Sequence, residues 1–264
     1  MTHLYVFIFD ILTCHDNAFD STSIIFTFAD EPERVVGGFD TYVGEFPYQV
    51  SLQIGSFHFC GGSIVDEYHI LTAAHCVDDM KRPYNFEVVT GTNNIRSGQR
   101  HKVTNVQIHE NYMGEASNSW RNDIALLTVS HSNIQPKTIQ FEEPGRPLVL
   151  TGWGMLRAKG PSPNILQKTT LYSLANTECQ AKHGRQQIWP TQICSKSRIG
   201  VGACQGDSGG PLVWNGVQIG VVSWVYPCAL GYPDVYTRVS SYLGWIQNAI
   251  RRDHSKTKTK ISTT

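Results

Sequence analysis

The stretch PLVWNGVQIGVVSW, residues 211–224, holds two short apolar runs, 212–214 and 218–224, divided by Asn215 and Gly216. Short apolar runs bounded by Gly, Pro, Asn or Asp are the mark of an all-β sandwich or barrel. The same rhythm extends in both directions from Val35 onward. Upstream, Val50, Leu52 and Ile54 alternate, Val103 and residues 106–108 form another run, and residues 124–129 read as a buried strand. After Gly145 come 148–153 and 167–174, and downstream of the quoted stretch lies 234–239. Two β units of similar size are therefore expected, at about 35–145 and 146–239. A helical pattern emerges only near the end, with Ser240 or Ser241 as N-cap and Leu243, Ile246 and Ile250 at spacings of three and four. The last segment, RRDHSKTKTKISTT (251–264), reads as a basic polar tail in solvent.

A chain of 264 residues with 41% apolar and 17% charged side chains has the length and composition to bury a large core, which excludes disorder. Lys+Arg number 22 against Asp+Glu 22, so there is no net charge to recruit nucleic acid or an acidic membrane surface. No apolar run approaches the roughly 18 to 20 residues needed to span a bilayer. The first thirty-odd residues lack the turn and strand rhythm, have no basic start, and are interrupted by Asp10. Within them SIIFTFA (23–29) reads either as the end of a secretory apolar region cut after Ala29 or as an unusual N-terminus. Residues 30–34 would then be a short segment between that cut and Val35. The seven cysteines, Cys14, Cys60, Cys76, Cys179, Cys194, Cys204 and Cys228, contain no CxxC pair, and there is no HExxH. These absences argue against a structural zinc site and leave disulfides or buried thiols.

Three separated segments carry side chains that chemistry can combine. LTAAHC (71–76) contains His75, RNDIALL (121–127) sets Asp123 before an apolar strand, and GACQGDSGGP (202–211) holds Ser208 in a glycine-rich turn. A serine hydroxyl is a poor nucleophile near neutral pH, so a histidine must take its proton during attack and return it to the leaving group. A buried aspartate accepting the other ring N–H would fix the tautomer and stabilise the imidazolium. Any one of these residues alone has an ordinary reading: a packed histidine, a capping aspartate, a flexible loop.

Together with VVGG (35–38), TGWG (151–154) and PDVYTRV (233–239), these segments resemble the chymotrypsin/trypsin family of serine proteases over about residues 35–250. The resemblance implies two antiparallel six-stranded β-barrels with a C-terminal helix. It implies His75 as base, Asp123 as its partner and Ser208 as nucleophile, in the family's chain order. Amides of Gly206 and Ser208 would form the oxyanion hole, and Ser223 would support the buried carboxylate. ER followed by VVGG resembles the family's activation junction, where a cut after Arg34 frees Val35 as an ammonium that inserts beside Asp207. The implied disulfides are Cys60 with Cys76, Cys179 with Cys194, and Cys204 with Cys228, each closing a loop on the order of 15 to 25 residues and contributing about 3 kcal/mol. A further family pair is missing at both ends, where Pro147 or its neighbours and Trp214 stand. Cys14 is removed with the leader, bonded to another chain, or free.

Substrate binding is assigned by the same resemblance to Gly202, Ser223, Trp224, Val225 and Asp234. Gly202 stands where trypsin carries an aspartate, and Asp234 restores an acid on the pocket wall. The pair resembles arthropod collagenolytic digestive proteases, which accept basic and apolar side chains. Val225 at the mouth should narrow entry for Phe or Tyr, as in elastases. Asp234 either faces the pocket or is satisfied by neighbouring amides. The expected preference is for apolar residues, with secondary cleavage after Lys or Arg. The segment GTNNIRSGQRHK (91–102) has no carboxylate for calcium, so no metal and no cofactor are expected, and no N-x-[ST] sequon occurs. The whole reads as a secreted, monomeric digestive endopeptidase made as a zymogen, whose partners are protein or peptide substrates, an activating protease and protein inhibitors. Competing readings are a regulatory or venom protease of narrow specificity, and a non-catalytic homologue that only binds.

Overall fold

The computed structural model describes residues 36–130 and 145–261, apart from Lys81, Pro83, Ser197 and Pro227. The segments expected to be a leader, 1–29, and an activation peptide, 30–34, with Cys14, Arg34 and Val35, lie outside the described residues.

Among the described residues thirteen strands form two closed antiparallel barrels of six, with one two-residue strand paired to a strand of the second barrel. They are β1 (Phe39–Asp40), β2 (Gln49–Ile54), β3 (Phe57–Ile64), β4 (His69–Thr72), β5 (Glu87–Thr90), β6 (Gln99–Ile108) and β7 (Ala125–Val129) in the first half. The second half contributes β8 (Pro147–Gly152), β9 (Gln167–Leu174), β10 (Gln192–Lys196), β11 (Pro211–Trp214), β12 (Val217–Trp224) and β13 (Asp234–Arg238). The first barrel closes in the order β2-β3-β4-β7-β6-β5, the second as β8-β9-β10-β13-β12-β11. Closure removes free sheet edges, which suits strands this short. The opening stretch of the sequence is the β11–β12 hairpin: Trp214 pairs with Val217 across Asn215 and Gly216, whose φ values of 45° and 77° give the doubly left-handed turn that matches strand twist.

The chain ends cross over between the halves. β1 falls in the first β unit by sequence, yet it pairs with β9 of the second barrel, Phe39 opposite Lys168. Conversely, Val239, Tyr242, Ile246 and Ala249 pack into the first barrel's core with Ile70, Leu126 and Leu127. Each barrel is thus covered partly by the other's flanking segment, and the cleft between them is held from both sides.

Two expectations about helices need correction. A short helix α1 (Asn176–His183) lies between β9 and β10; it buries only Cys179, so it has no apolar stripe to reveal it in the sequence. The C-terminal helix α2 (Leu243–Ile261) follows a 3-10 turn at Val239–Tyr242 and runs through most of the segment expected to be a frayed tail. Residues 251–261 contain neither Gly nor Pro, so nothing in them stops a helix already nucleated on the barrel.

Polar bonds cross the cleft where both barrels bury it. Ser63 donates to Gln218 at 2.7 Å, and Thr151 donates to Gln49 at 2.6 Å. The Gly61 amide of β3 donates to the Ser208 carbonyl at 2.7 Å, so the serine-bearing turn of the second half is fixed directly to a strand of the first.

Candidate active site

His75 sits in a single 3-10 turn, Ala74–Cys76, directly after β4, and Cys76 is bonded to Cys60 on β3. The turn is thereby held at both ends by the first barrel. Asp123 enters from the segment before β7. Asn122 adopts φ 58°, a left-handed conformation that asparagine tolerates, and its side chain is bound by Asn111 O at 2.7 Å and the Tyr242 hydroxyl at 2.7 Å. That kink turns Asp123 inward, where it is fully buried.

The buried carboxylate is satisfied by three donors. Oδ2 accepts from His75 Nδ1 at 2.7 Å and from the Ser223 hydroxyl at 2.6 Å, and Oδ1 accepts the His75 backbone N–H at 2.9 Å. Its backbone carbonyl accepts from Thr237 at 2.6 Å. Ser223 and Thr237 belong to β12 and β13, so the second barrel clamps an acid supplied by the first. With Nδ1–H committed to Asp123, the His75 tautomer leaves Nε2 as a lone pair. Burial alone would lower the His75 pKa, but the charge and hydrogen bond of Asp123, with a smaller push from Asp78, hold it above the ordinary imidazole value.

The loop 204–210 carries Ser208. Gly209, with φ 76°, must be glycine on two counts: a Cβ there would lie 2.2 Å from Thr72 Oγ1 and 2.6 Å from Gly61 O. The serine turn therefore presses against the segment that leads to His75. Gly209→Ala is expected to strain both, lowering the thermal midpoint by roughly 5 to 10 °C and the rate together; a calorimetric scan beside a rate assay checks it, and an unchanged midpoint would contradict the packing argument. Gly206 has φ 96°, and among the described residues neither its N–H nor that of Ser208 is taken by another protein group. Two unclaimed amides on either side of Asp207, one of them the serine's own, form the kind of donor pair that stabilises a developing oxyanion.

Sequence reasoning missed what anchors this loop. His58 Nε2 donates to Gly206 O at 2.8 Å, while Nδ1 accepts from Ser51 at 2.8 Å, which in turn is held by Gln53 at 2.9 Å. Burial drives the His58 pKa down to about 4, despite its bond to Gly206, so the ring is neutral and polarised along this chain. Nothing local in FHFCGG marks His58, because its partner stands far along the chain in the other half.

Asp207 is wholly buried, with Oδ1 receiving Gly154 N–H at 2.8 Å and Oδ2 receiving Cys204 N–H at 2.9 Å. Burial, only partly offset by these bonds, raises its pKa to about 6. Nearby, Gly202 donates to Val36 O at 3.1 Å, and Val36 packs with Cys204, Cys228 and Ala229. The segment just after Val35 therefore lies against the loop that bears Asp207.

Gly202 and Ala203 are buried, and Asp234 is only 2% exposed, with Oδ2 accepting the Ala203 N–H at 2.9 Å. Of the two alternatives for Asp234, an amide contact is thus present. Val225 is half-buried against Val36 and the Cys204–Cys228 pair. Trp224 lies beside His183 and Trp120, at ring distances of 4.8 and 6.1 Å, and its indole nitrogen is buried without a partner among the described residues. The three disulfides join Cys60 to Cys76, Cys179 to Cys194 and Cys204 to Cys228. Where the further pair is missing, Arg146 lies over the Trp214 ring at 6.0 Å.

Comparison with known proteins agrees with this geometry. A family profile described as Trypsin matches residues 35–246. Chymotrypsin-2 of Vespa crabro is 43% identical over 226 residues, covering 81% of this chain and 98% of that protein. Trypsin-1 of Astacus astacus is 39% identical over 240 residues, covering 82% and 100%, and Trypsin Tyr p 3.0101 of Tyrophagus putrescentiae is 41% identical over 230 residues, covering 81% and 79%.

Proposed function

The chain belongs to the trypsin family of serine endopeptidases, and from that membership we propose that it cleaves peptide bonds through His75, Asp123 and Ser208, as a secreted digestive enzyme made as a zymogen. The peptidase domain spans 35–250, and it acts as a monomer on protein substrates. The observation that carries the catalytic reading is the fully buried Asp123 carboxylate bonded at 2.7 Å to His75 Nδ1 and at 2.6 Å to Ser223. A desolvated carboxylate is costly unless its partner becomes cationic, and the imidazolium formed during attack is that cation.

In this reading Ser208 Oγ attacks the scissile carbonyl as its proton passes to His75 Nε2. The carbonyl oxygen becomes an anion facing the amides of Gly206 and Ser208. His75 then gives the proton to the leaving amine, and the acyl-Ser208 ester is hydrolysed by the same steps with water as nucleophile. Secretion is supported by three disulfides among the described residues, which persist in oxidising compartments. No helix among the described residues is long and apolar enough to cross a membrane.

For specificity, the bond from Ala203 N–H to Asp234 favours a structural duty for this acid, and a half-buried, β-branched Val225 supports a pocket that disfavours large aromatic side chains. We therefore assign a preference for Leu or Ala before the scissile bond over Phe and Arg. A misfit methylene changes selectivity by about 1 to 3 kcal/mol, so preferences of roughly tenfold to a hundredfold are expected. The test is kcat/KM of the form cut after Arg34 on matched peptides with Ala, Leu, Phe or Arg at that position, with Ser208→Ala as control. Arg preferred over Leu would overturn the structural duty of Asp234, and cleavage that survives Ser208→Ala would overturn the catalytic assignment.

A further inference from the structure

A second cluster of ligating side chains lies away from the cleft, where α2 passes the turn between β3 and β4. His69, the first residue of β4, is 1% exposed. Its Nδ1 faces both oxygens of Asp66, at 2.7 and 2.9 Å. Its Nε2 is buried and makes no hydrogen bond among the described residues, yet Asp253 Oδ2 stands 3.4 Å from it. The exposed His254 ring lies 5.5 Å from the His69 ring, centroid to centroid, at 77° between planes. One ligating atom each of Asp66, His69 and His254 fall within 4.8 Å of one another.

When Nδ1–H is given to Asp66, Nε2 is a lone pair 3.4 Å from a carboxylate oxygen, and two electron-rich atoms at that distance repel. A divalent metal between them removes the conflict. Two ligands bound to one tetrahedral zinc, each at about 2.0 to 2.1 Å, stand about 3.3 to 3.4 Å apart. The separation between His69 Nε2 and Asp253 Oδ2 has that span. A carboxylate on the far nitrogen of a ligating histidine, as Asp66 provides, is the usual way such a ring is oriented and made more basic.

We propose that His69, Asp253 and His254 bind a zinc-type divalent ion, with Asp66 orienting His69 from behind. Imidazole nitrogens with carboxylates select zinc and its transition-metal neighbours over calcium or magnesium, which require oxygen ligands. The ion would tie α2 to the strand whose end leads into His75. The expectation of no metal rests on the lack of carboxylates in 91–102 and of closely spaced ligand motifs, whereas these ligands come from β4 and from α2, far apart in the sequence.

The test uses the full chain carrying Ser208→Ala to prevent self-digestion, freed of metal and then dialysed against zinc. One zinc per chain is expected by atomic absorption, with micromolar or tighter affinity and a thermal midpoint raised by roughly 5 °C. His254→Ala, a change at an exposed position, should weaken binding at least tenfold. Asp66→Asn should weaken it by about 10- to 100-fold, and His75→Ala should leave it unchanged. No retained zinc, equal affinity in His254→Ala, or binding lost in His75→Ala would overturn the site. A protonated His69 without bound metal, read from its ring nitrogen shifts by NMR, would overturn it equally and assign the proton as the bridging cation.

Discussion

Asp123→Asn is expected to lower kcat by about 10⁴-fold near neutral pH with little change in KM, a magnitude carried over from triads of this kind rather than obtained from this geometry. The asparagine fits the same space and can still accept the His75 backbone N–H. Its amide, however, donates where the carboxylate accepted, so the ring is forced to protonate at Nε2 and can no longer take a proton from Ser208. The pH profile separates this loss from simple damage. In the native protein the acid limb of kcat/KM should fall above the ordinary imidazole value, because the Asp123 charge and hydrogen bond outweigh burial. Removing them leaves burial, which lowers the His75 pKa, so the residual acid limb should move to lower pH. A loss below tenfold, or a limb that does not move, would remove Asp123 from the proposed mechanism.

How much of this was legible beforehand depends on the range over which each physical cause acts. β7 and β12 could be read because apolar residues are concentrated within single strands, and the β11–β12 turn because Asn215 and Gly216 sit together. β4 and β5, with four residues each, and β3, interrupted by Gly61 and Gly62, carry too little local pattern to stand out. α1 was hidden by its polarity, and the end of α2 by a polar composition that resembles a solvated terminus. The candidate triad was legible because its residues lie in distinctive short segments that resemble a known family. Its supports were not: the links from His58 to Gly206 and from Thr237 to Asp123 join residues more than a hundred positions apart, as their pairings state. The cluster of His69 with His254 is of the same kind, since closed barrels and crossed chain ends create neighbours that no spacing rule contains.

Cutting after Arg34 is expected to raise kcat/KM by about 10⁴-fold, since both oxyanion donors depend on the loop around Asp207 and each is worth about 10²- to 10³-fold. In the uncut chain, burial disfavours the charged form of Asp207. Its pKa of about 6, against 3.8 for an ordinary aspartate, reports a folded state that prefers the neutral acid. The sign follows: the folded form holds this proton more tightly than the unfolded form, so stability from this group is greatest below about pH 4 and is lost as pH rises through about 6. By pH 7 the cost is roughly 3 kcal/mol. A Val35 ammonium delivered beside Asp207 reverses that sign, because the charged acid then has a charged partner, and Val36 already lies against the loop through its bond to Gly202. The ammonium gains from the same pairing: its pKa rises above the ordinary 7.7 to 8.0, so its contribution is complete below that range and is lost as pH climbs through the raised value. The cut enzyme should therefore be more thermostable than the uncut chain at pH 7 to 8, a difference measured in Ser208→Ala protein cut by an added Arg-specific protease. Its activity should decline at alkaline pH, and Asp207→Asn should abolish most of the gain on cutting. A gain below tenfold, or full activity in cut Asp207→Asn, would break the link between the new terminus and the loop that carries Ser208.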